Sequence, residues 1–207
     1  MTSALLLGAL VGLRHATDPD HLAAVSTLIA REPRSGQATS LGAAWSLGHG
    51  TTLLGVGGAA LLLSTRLPPA LGGLAELGVA LVLIALGVSN LRHASHPSPH
   101  APAASERAAL VRSGFVGVAH GAAGSGLIAV AAAAAMPTPA EALLYLMAFA
   151  LGTALAMVAF STLLSAPLRW LARKPHRHRW IHRVTGAISL LVGLGLAFET
   201  VQAWSLA

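Results

Sequence analysis

Apolar stretches long enough to cross a lipid bilayer recur along the chain and leave little sequence for a soluble core. Hydrophobic residues make up 55% of the 207 residues and charged residues only 10%, whereas soluble domains contain about 25% charged residues. A helix crosses a bilayer with roughly 20 apolar residues, and several stretches reach that length. The sequence therefore predicts an all-α, polytopic membrane protein with a single transmembrane domain.

Polar segments divide the chain into six predicted spans. Eleven of the 13 Lys and Arg residues lie in the first, third and fifth loops, while Arg66 lies in an opposite loop and Arg14 within a span. The positive-inside rule then predicts a multi-pass protein of the cytoplasmic (inner) membrane, with both termini outside. The same distribution argues against a nucleic-acid partner in spite of the net charge of +6. The spans cover about residues 3–30, 38–64, 70–91, 108–135, 139–166 and 181–203.

A weak internal repeat relates the two halves of the chain. Residues 12–16 align with residues 117–121, and residues 46–49 align with residues 150–153. Two units of three spans must have opposite orientations in the membrane because three is odd. Inverted repeats with broken helices are a transporter architecture, so we predict two inverted three-helix repeats. The division is residues 1–92 for the first repeat, 93–107 for a cytoplasmic His/Pro-rich loop, and 108–207 for the second repeat.

The first predicted span contains a strongly polar segment, Arg14-His15-Ala16-Thr17-Asp18-Pro19-Asp20-His21. Each Arg or Asp at the membrane centre costs about 2.5–3.5 kcal/mol, so such groups pair, face a polar cavity or bind something. Imidazole and carboxylate groups are ligands for transition metals. The chain contains no cysteine, which excludes thiolate ligands. We therefore interpret this segment as a candidate metal site.

Pro19 makes a shared site for His15 and His21 geometrically reasonable. The two histidines are six residues apart, about 9 Å along a straight helix, which is too far for one ion. Proline cannot donate a hydrogen bond to the carbonyl four residues earlier, so the helix should open before Pro19 and expose free carbonyls. The alternative is an Arg14–Asp18 ion pair at i, i+4 spacing, with the histidines in ordinary packing.

A second polar segment, Ser46-Leu47-Gly48-His49-Gly50, lies within the second predicted span. Small residues allow another helix backbone to approach closely, so His49 is a candidate for a further nitrogen ligand of the first site. The alternative is a hydrogen-bonded packing histidine.

The second half contains His120, followed by a Gly-rich segment with Ser125. If the repeat is real, His120 faces His15 and lines the pathway; a plain packing role has equal weight. The remaining histidines are expected to be solvated on the cytoplasmic side, with loose metal binding as the alternative. They are His93, His96, His100, His176, His178 and His182.

Residues 14–22, with the spacing H-x4-D-H, resemble the signature of the nickel/cobalt transporter (NiCoT, NicO) family. Residues 46–50 and 120–125 are similar to segments of its short, UreH-like branch. The resemblance implies a permease for Ni²⁺ or Co²⁺. It also implies that His15, Asp20 and His21 form the essential motif and that His49 is the second histidine.

The sequence thus predicts a secondary transporter of a divalent transition-metal ion and no enzyme. A phosphate-binding G-x4-G-K-[ST] loop is absent from the sequence, so ATP hydrolysis is not expected. The alternatives are an intramembrane metal-dependent or serine hydrolase and a non-transporting metal-binding membrane subunit. Expected partners are the metal ion, as substrate rather than cofactor, and the bilayer; a homo-oligomer or a metal-delivery partner stays open. The predicted metal ligands are His15, Asp18, Asp20, His21 and His49, and the predicted pathway or supporting residues are Arg14, Pro19, Ser46, His120 and Ser125.

Overall fold

The regular secondary structure is entirely helical within the residues that the computed structural model describes. These are residues 1–31, 36–63, 68–95, 105–172 and 174–206. The helices are α1 (Thr2–His15), α2 (Pro19–Ala30), α3 (Gln37–Leu62), α4 (Pro69–Ser95), α5 (Glu106–His120), α6 (Ser125–Ala134), α7 (Pro139–Ala172) and α8 (Pro175–Ser205). The all-α prediction is therefore confirmed.

The first predicted span consists of two helices, α1 and α2, as the proline suggested. Helix α1 ends at His15, and α2 begins at Pro19. Proline fits the first position of a helix because its missing N–H has no partner there in any case. It also disfavours a helical conformation in the residue before it, and Asp18 has an extended backbone with φ −61° and ψ 143°.

A second break separates α5 from α6. Helix α5 ends at His120 and α6 begins at Ser125, so the predicted span over residues 108–135 consists of two helices, and the sequence analysis did not predict this break. Gly124 has a positive φ of 56°, which glycine adopts without steric cost. The glycine-rich sequence after His120 thus permits this break, where the first break has a proline.

The last two helices are longer than predicted. Helix α7 continues to Ala172 and α8 begins at Pro175, so most of the basic segment expected as a loop is helical. By length and composition, α4, α7 and α8 can each cross a membrane, and α1 is a shorter apolar helix. The count of six spans stays a prediction.

The helices pack in two groups around the breaks. Helix α1 lies along α7, and α3 lies between α5 and α7, whereas α4 pairs with α8 and α2 packs chiefly against α8 and α4. Close backbone approaches at glycines occur within the first group, and two of them occupy equivalent positions in the two halves: Gly12 in α1 meets the carbonyl of Phe149, and Gly117 in α5 meets that of Trp45. A Cβ atom at either glycine would clash with this backbone, so neither helix pair tolerates a side chain there.

Apolar side chains point outward and polar side chains point inward, as expected in a bilayer. Leu10 and Leu47 are 64% and 72% exposed, whereas Asn90, Ser113 and Ser189 are fully buried. Exposed apolar side chains and buried polar side chains are unfavourable for a protein in water and favourable for one surrounded by lipid. Together with the long apolar helices, this distribution indicates a membrane protein.

Candidate metal site

Three imidazoles meet where the first break faces α3. His15 is the last residue of α1, His21 lies in the first turn of α2, and His49 lies in the middle of α3. All three are buried, with exposed fractions of 1–2%. One ring nitrogen from each can be chosen so that all three atoms lie within 4.8 Å of one another. Among the described residues, no other group of three or more His, Asp or Glu side chains satisfies this 4.8 Å spacing.

The break before Pro19 shortens the separation of the first two histidines. The ring centroids of His15 and His21 are 4.4 Å apart, about half the distance expected along a straight helix. His49 completes the group, with its ring centroid 5.2 Å from His15 and 5.5 Å from His21. The turn at residues 16–18 therefore brings His15 and His21 together, although they would be too far apart on a straight helix.

The ring nitrogens of this group are close to the separations that one ion requires. Nε2 of His15 and Nε2 of His49 lie 3.1 Å apart. Two nitrogens bound at about 2.1 Å lie about 3.4 Å apart around a tetrahedral ion and about 4.2 Å apart in trans positions. Small side-chain movements are therefore enough to place all three imidazoles around one ion.

The two carboxylates lie behind the imidazoles. Oδ2 of Asp18 is 3.1 Å from Nδ1 of His15, and Oδ1 of Asp20 is 3.1 Å from Nδ1 of His21. A carboxylate hydrogen-bonded to one ring nitrogen fixes the tautomer and makes the other nitrogen a better ligand; Asp18 does this for His15, whereas Asp20 lies at ion-pair distance from His21 without a hydrogen bond to its Nδ1. The structure thus places the predicted ligands Asp18 and Asp20 in a position to orient histidines, outside the group of three.

Arg14 pairs with one of these carboxylates at the surface. Its Nη1 lies 3.5 Å from Oδ1 of Asp18, and its side chain is 77% exposed. The Arg14–Asp18 contact offered as an alternative therefore exists beside the histidine cluster and does not replace it. The expectation of a free carbonyl at His15 was wrong, because the N–H of Asp18 donates to that oxygen at 3.0 Å.

Aromatic side chains form the inner wall of the cluster. Trp45 stacks on His49 with ring centroids 4.9 Å apart and planes 15° apart, and Phe149 lies 5.0 Å from His15. Sequence analysis gave Trp45 no role, although residues four apart on a helix are neighbours. The wall excludes water from one side and limits how far the imidazoles can move.

His120 lies next to the cluster without joining the group of three. Its Nδ1–H donates to the carbonyl of Val116 at 2.8 Å, and its ring centroid is 5.4 Å from that of His21. Its Nε2 has no hydrogen-bond partner among the residues that the structure describes. His120 is thus a neighbour of the site from the second half of the chain.

The other predicted supporting residues have different positions. The hydroxyl of Ser46 donates to the carbonyl of Gly42 at 2.8 Å and lies 3.4 Å from that of Ala154, so it contributes to the packing of α3 on α7. Ser125 begins α6, and its side chain lies outside the described part of the structure. His96 and His100 also lie outside the described residues.

The remaining histidines are not all solvated. His93 and His176 are exposed, as predicted, and His178 is half-buried. His182 is buried, with an exposed fraction of 1%, so its predicted solvation was wrong. The prediction failed because it placed the sixth span from residue 181, whereas α8 begins a turn and a half earlier and packs this face against α4.

The translocators of the LysE type match residues 15–200 of this chain. The chain belongs to the LysE type translocator family. It is also similar to the Urease accessory protein UreH of Bacillus sp. (strain TB-90), with 29% identity over 205 residues. That alignment covers 94% of this chain and 90% of the Bacillus protein. No solved structure gives a significant match.

Membership of the LysE type family confirms the prediction of a transporter and of a protein that is not an enzyme. The intramembrane hydrolase offered as an alternative is therefore set aside. The family match begins at His15 and so includes all three histidines of the cluster.

Proposed function

We propose that this member of the LysE type family is a secondary transporter, or permease, for a divalent transition-metal ion, with Ni²⁺ or Co²⁺ as substrate. The observation that carries the proposal is the group of three buried imidazoles, His15, His21 and His49, whose ligand nitrogens lie within 4.8 Å of one another. Together with Asp18 and Asp20, this group is the proposed binding site.

The donor chemistry favours a transition metal over Mg²⁺ or Ca²⁺. Neutral imidazole suits Ni, Cu, Fe and Zn, whereas the harder ions require oxygen ligands. Affinity order alone does not choose among the transition metals. The resemblance of residues 14–22 to the nickel/cobalt transporter signature selects Ni²⁺ and Co²⁺ from this group.

The charges around the site suit a transported ion. Asp18 and Asp20 place carboxylates 3.1 Å from the outer nitrogens of His15 and His21, and Arg14 pairs with the first of them, so the carboxylates offset part of the charge of a divalent cation. Imidazole ligands without thiolates bind such an ion less tightly than cysteine-containing sites. A transport site must bind strongly enough to admit its ion and weakly enough to release it.

The proposed topology has six spans formed by the eight helices. The pairs α1–α2 and α5–α6 each form one broken span, and the basic loops lie in the cytoplasm with both termini outside. The proposed inverted repeat is supported by equivalent contacts: Gly12 meets Phe149 and Gly117 meets Trp45. The sequence has no phosphate-binding loop, so energy comes from an ion gradient, the membrane potential or a partner.

The decisive experiment measures metal flux with the purified full chain in proteoliposomes that contain a metal-sensitive dye. We expect Ni²⁺ and Co²⁺ to enter, Mg²⁺ to stay outside, and His21→Ala to give no flux. The exposed His176 provides the matched control, since His176→Ala should keep the wild-type rate. Metal binding without flux in the wild type would contradict the proposal and indicate a non-transporting subunit.

The proposed orientation has its own test. A small tag at either terminus should react with a membrane-impermeant reagent in intact cells, whereas a tag in the loop at residues 96–104 should react only after lysis. A cytoplasmic N-terminus would overturn both the orientation and the argument for inverted repeats.

A further inference from the structure

His182 lies deep between helix ends with unsatisfied polar atoms. It is in the second turn of α8 and has an exposed fraction of 1%. Within the described residues, neither of its ring nitrogens has a hydrogen-bond partner. An unsatisfied buried polar group costs roughly 1–3 kcal/mol, and native proteins retain few of them without a reason. The neutral imidazole of His182 therefore has one ring nitrogen available to bind a cation and one N–H without an acceptor among the described residues.

The neighbours of His182 are two more histidines. His178 lies four residues earlier on the same helix, with ring centroids 4.6 Å apart. His93, in the last turn of α4, has its ring centroid 4.9 Å from that of His182. Histidines at i and i+4 on one helix face are the arrangement that chelates zinc in helical metal sites, and His93 adds an imidazole from another helix. The ring nitrogens of these three do not meet the 4.8 Å spacing of the first cluster, so the exposed side chain of His93 must turn toward His182 for all three to share one ion.

This second cluster extends from the surface into the interior. His93 is exposed, His178 is half-buried and His182 is buried. His178 also lines a cavity of about 20 Å³ between the ends of α2, α7 and α8, which is about the volume that one water molecule needs. The cluster is therefore accessible from the side of the molecule where the basic residues gather.

Buried polar groups connect the region of this cluster with α2. Asn90 lies one turn before His93, and Thr185 lies one turn after His182. The Nδ2 of Asn90 donates to the carbonyl of Thr27 at 3.3 Å and to Oγ1 of Thr185 at 3.2 Å. Thr27 is on α2, the helix that begins with the first site. A polar strip thus leads from the helix of His21 to His182.

We propose that His93, His178 and His182 form a second site for a divalent transition-metal ion, at the adjoining ends of α4 and α8. The inference rests on the proposed function, since the ion is the transported one, and the second site is a station between the first site and the cytoplasm. Arg31, which donates to Oδ1 of Asn90, places a positive charge at this end. That charge weakens cation binding, as suits a station from which the ion must leave.

The test counts Co²⁺ ions bound to the detergent-purified full chain by equilibrium dialysis. We expect two ions per wild-type chain, one in His93→Ala/His178→Ala, and one in His15→Ala/His49→Ala. The matched control, His176→Ala, should bind two. The variant pair leaves the buried His182 in place, so the fold should be preserved. The exposed single change His93→Ala should weaken binding of the second ion by more than about 100-fold, because loss of a group that only supports a ligand already costs roughly 10- to 100-fold.

The possible failures can be distinguished. Two ions bound with wild-type affinity by His93→Ala/His178→Ala would overturn the second site. If the wild type binds one ion and His15→Ala/His49→Ala binds none, the second site is also overturned, and the proposed function stands. A single ion lost only in His93→Ala/His178→Ala would instead support the second site and contradict the proposed first site. No bound ion in the wild type would overturn both.

Discussion

Two breaks interrupt the helices of this molecule, one in each half, and they share a backbone design but differ in chemistry. In both, a histidine ends the first helix: His15 ends α1 and His120 ends α5. In both, a glycine three residues earlier meets the backbone of a helix from the other half. The first break then continues with two carboxylates and a second histidine, whereas the second continues with small residues, ending at Gly124.

The difference shows that the fold and the chemistry of a break are separable. A proline opens the helix at Pro19 and a positive φ does so at Gly124, so either residue type suffices for the backbone. Of the two breaks, only the first brings three ligand-type side chains within 4.8 Å of one another among the described residues. The second break contributes one neighbouring imidazole, His120, whose Nδ1–H is already bonded to its own helix.

The largest expected effect tests the first break. His15→Ala removes a ligand of the proposed ion, so transport should fall more than about 100-fold, since changes to groups that only support a ligand already cost roughly 10- to 100-fold. The initial rate of Co²⁺ entry into proteoliposomes measures it, with membrane insertion verified by the monodispersity of the purified protein. Wild-type flux in this well-folded variant would remove His15 from the site.

The carboxylates are expected to have the next largest effect. Asp20→Asn keeps the shape of the side chain but removes its charge from the outer nitrogen of His21, so the affinity for Co²⁺ should fall roughly 10- to 100-fold. Isothermal titration in detergent gives the affinity. The exposed Glu199 provides the control, and Glu199→Gln should change nothing; equal affinities in both variants would mean that Asp20 does not act on the site.

Because the two breaks share a backbone design, we expect an added methyl group at the equivalent glycine of each half to reduce the stability of the protein equally. Gly12→Ala and Gly117→Ala each place a Cβ against a facing carbonyl, and overpacking typically costs about 1–3 kcal/mol. Gly55 has no atom of the described residues within 4 Å of such a Cβ, so Gly55→Ala should not destabilise the protein. Thermal unfolding in detergent compares the three. If Gly12→Ala lowered the unfolding temperature and Gly117→Ala did not, the two breaks would not share one backbone design.

The smallest expected effect belongs to the second break. His120→Ala removes a neighbour of His21 rather than a ligand, so flux should fall less than about tenfold, below the range for groups that hold a ligand. The proteoliposome assay used for His15→Ala applies here as well. A loss as large as that of His15→Ala would show that His120 binds the ion and that the two breaks are chemically alike.

The two breaks were not equally predictable from sequence. The first was predicted because proline acts on its own turn, through a missing N–H and a fixed φ. The second was missed because a glycine adopts a positive φ only where the surrounding structure requires it, and its sequence is compatible with an unbroken apolar helix. The conformation that a proline imposes can be derived from the sequence. The conformation of a glycine depends on the packing around it and therefore cannot.

The candidate sites show the same limit. The sequence analysis grouped His15, His21 and His49 because their polarity is costly in an apolar span, and the structure places their ring nitrogens within 4.8 Å of one another. Their role as metal ligands stays a prediction. The positions of Asp18 and Asp20 behind the imidazoles depend on the turn at residues 16–18, which the helical spacing did not describe. The burial of His182 depends on the packing of α8 against α4, and no local pattern indicates which face of a long apolar helix meets another.

The break before Pro19 also divides the first site between two groups of helices. His15 and His49 belong to α1 and α3, which pack with α5 and α7, whereas His21 belongs to α2, which packs chiefly with α4 and α8. An ion held by all three imidazoles is therefore a crosslink between the two groups. Binding of the proposed ion would therefore favour one relative position of the two groups, and its release would remove that constraint and leave only their direct contacts, such as those of α2 with α3 and α7.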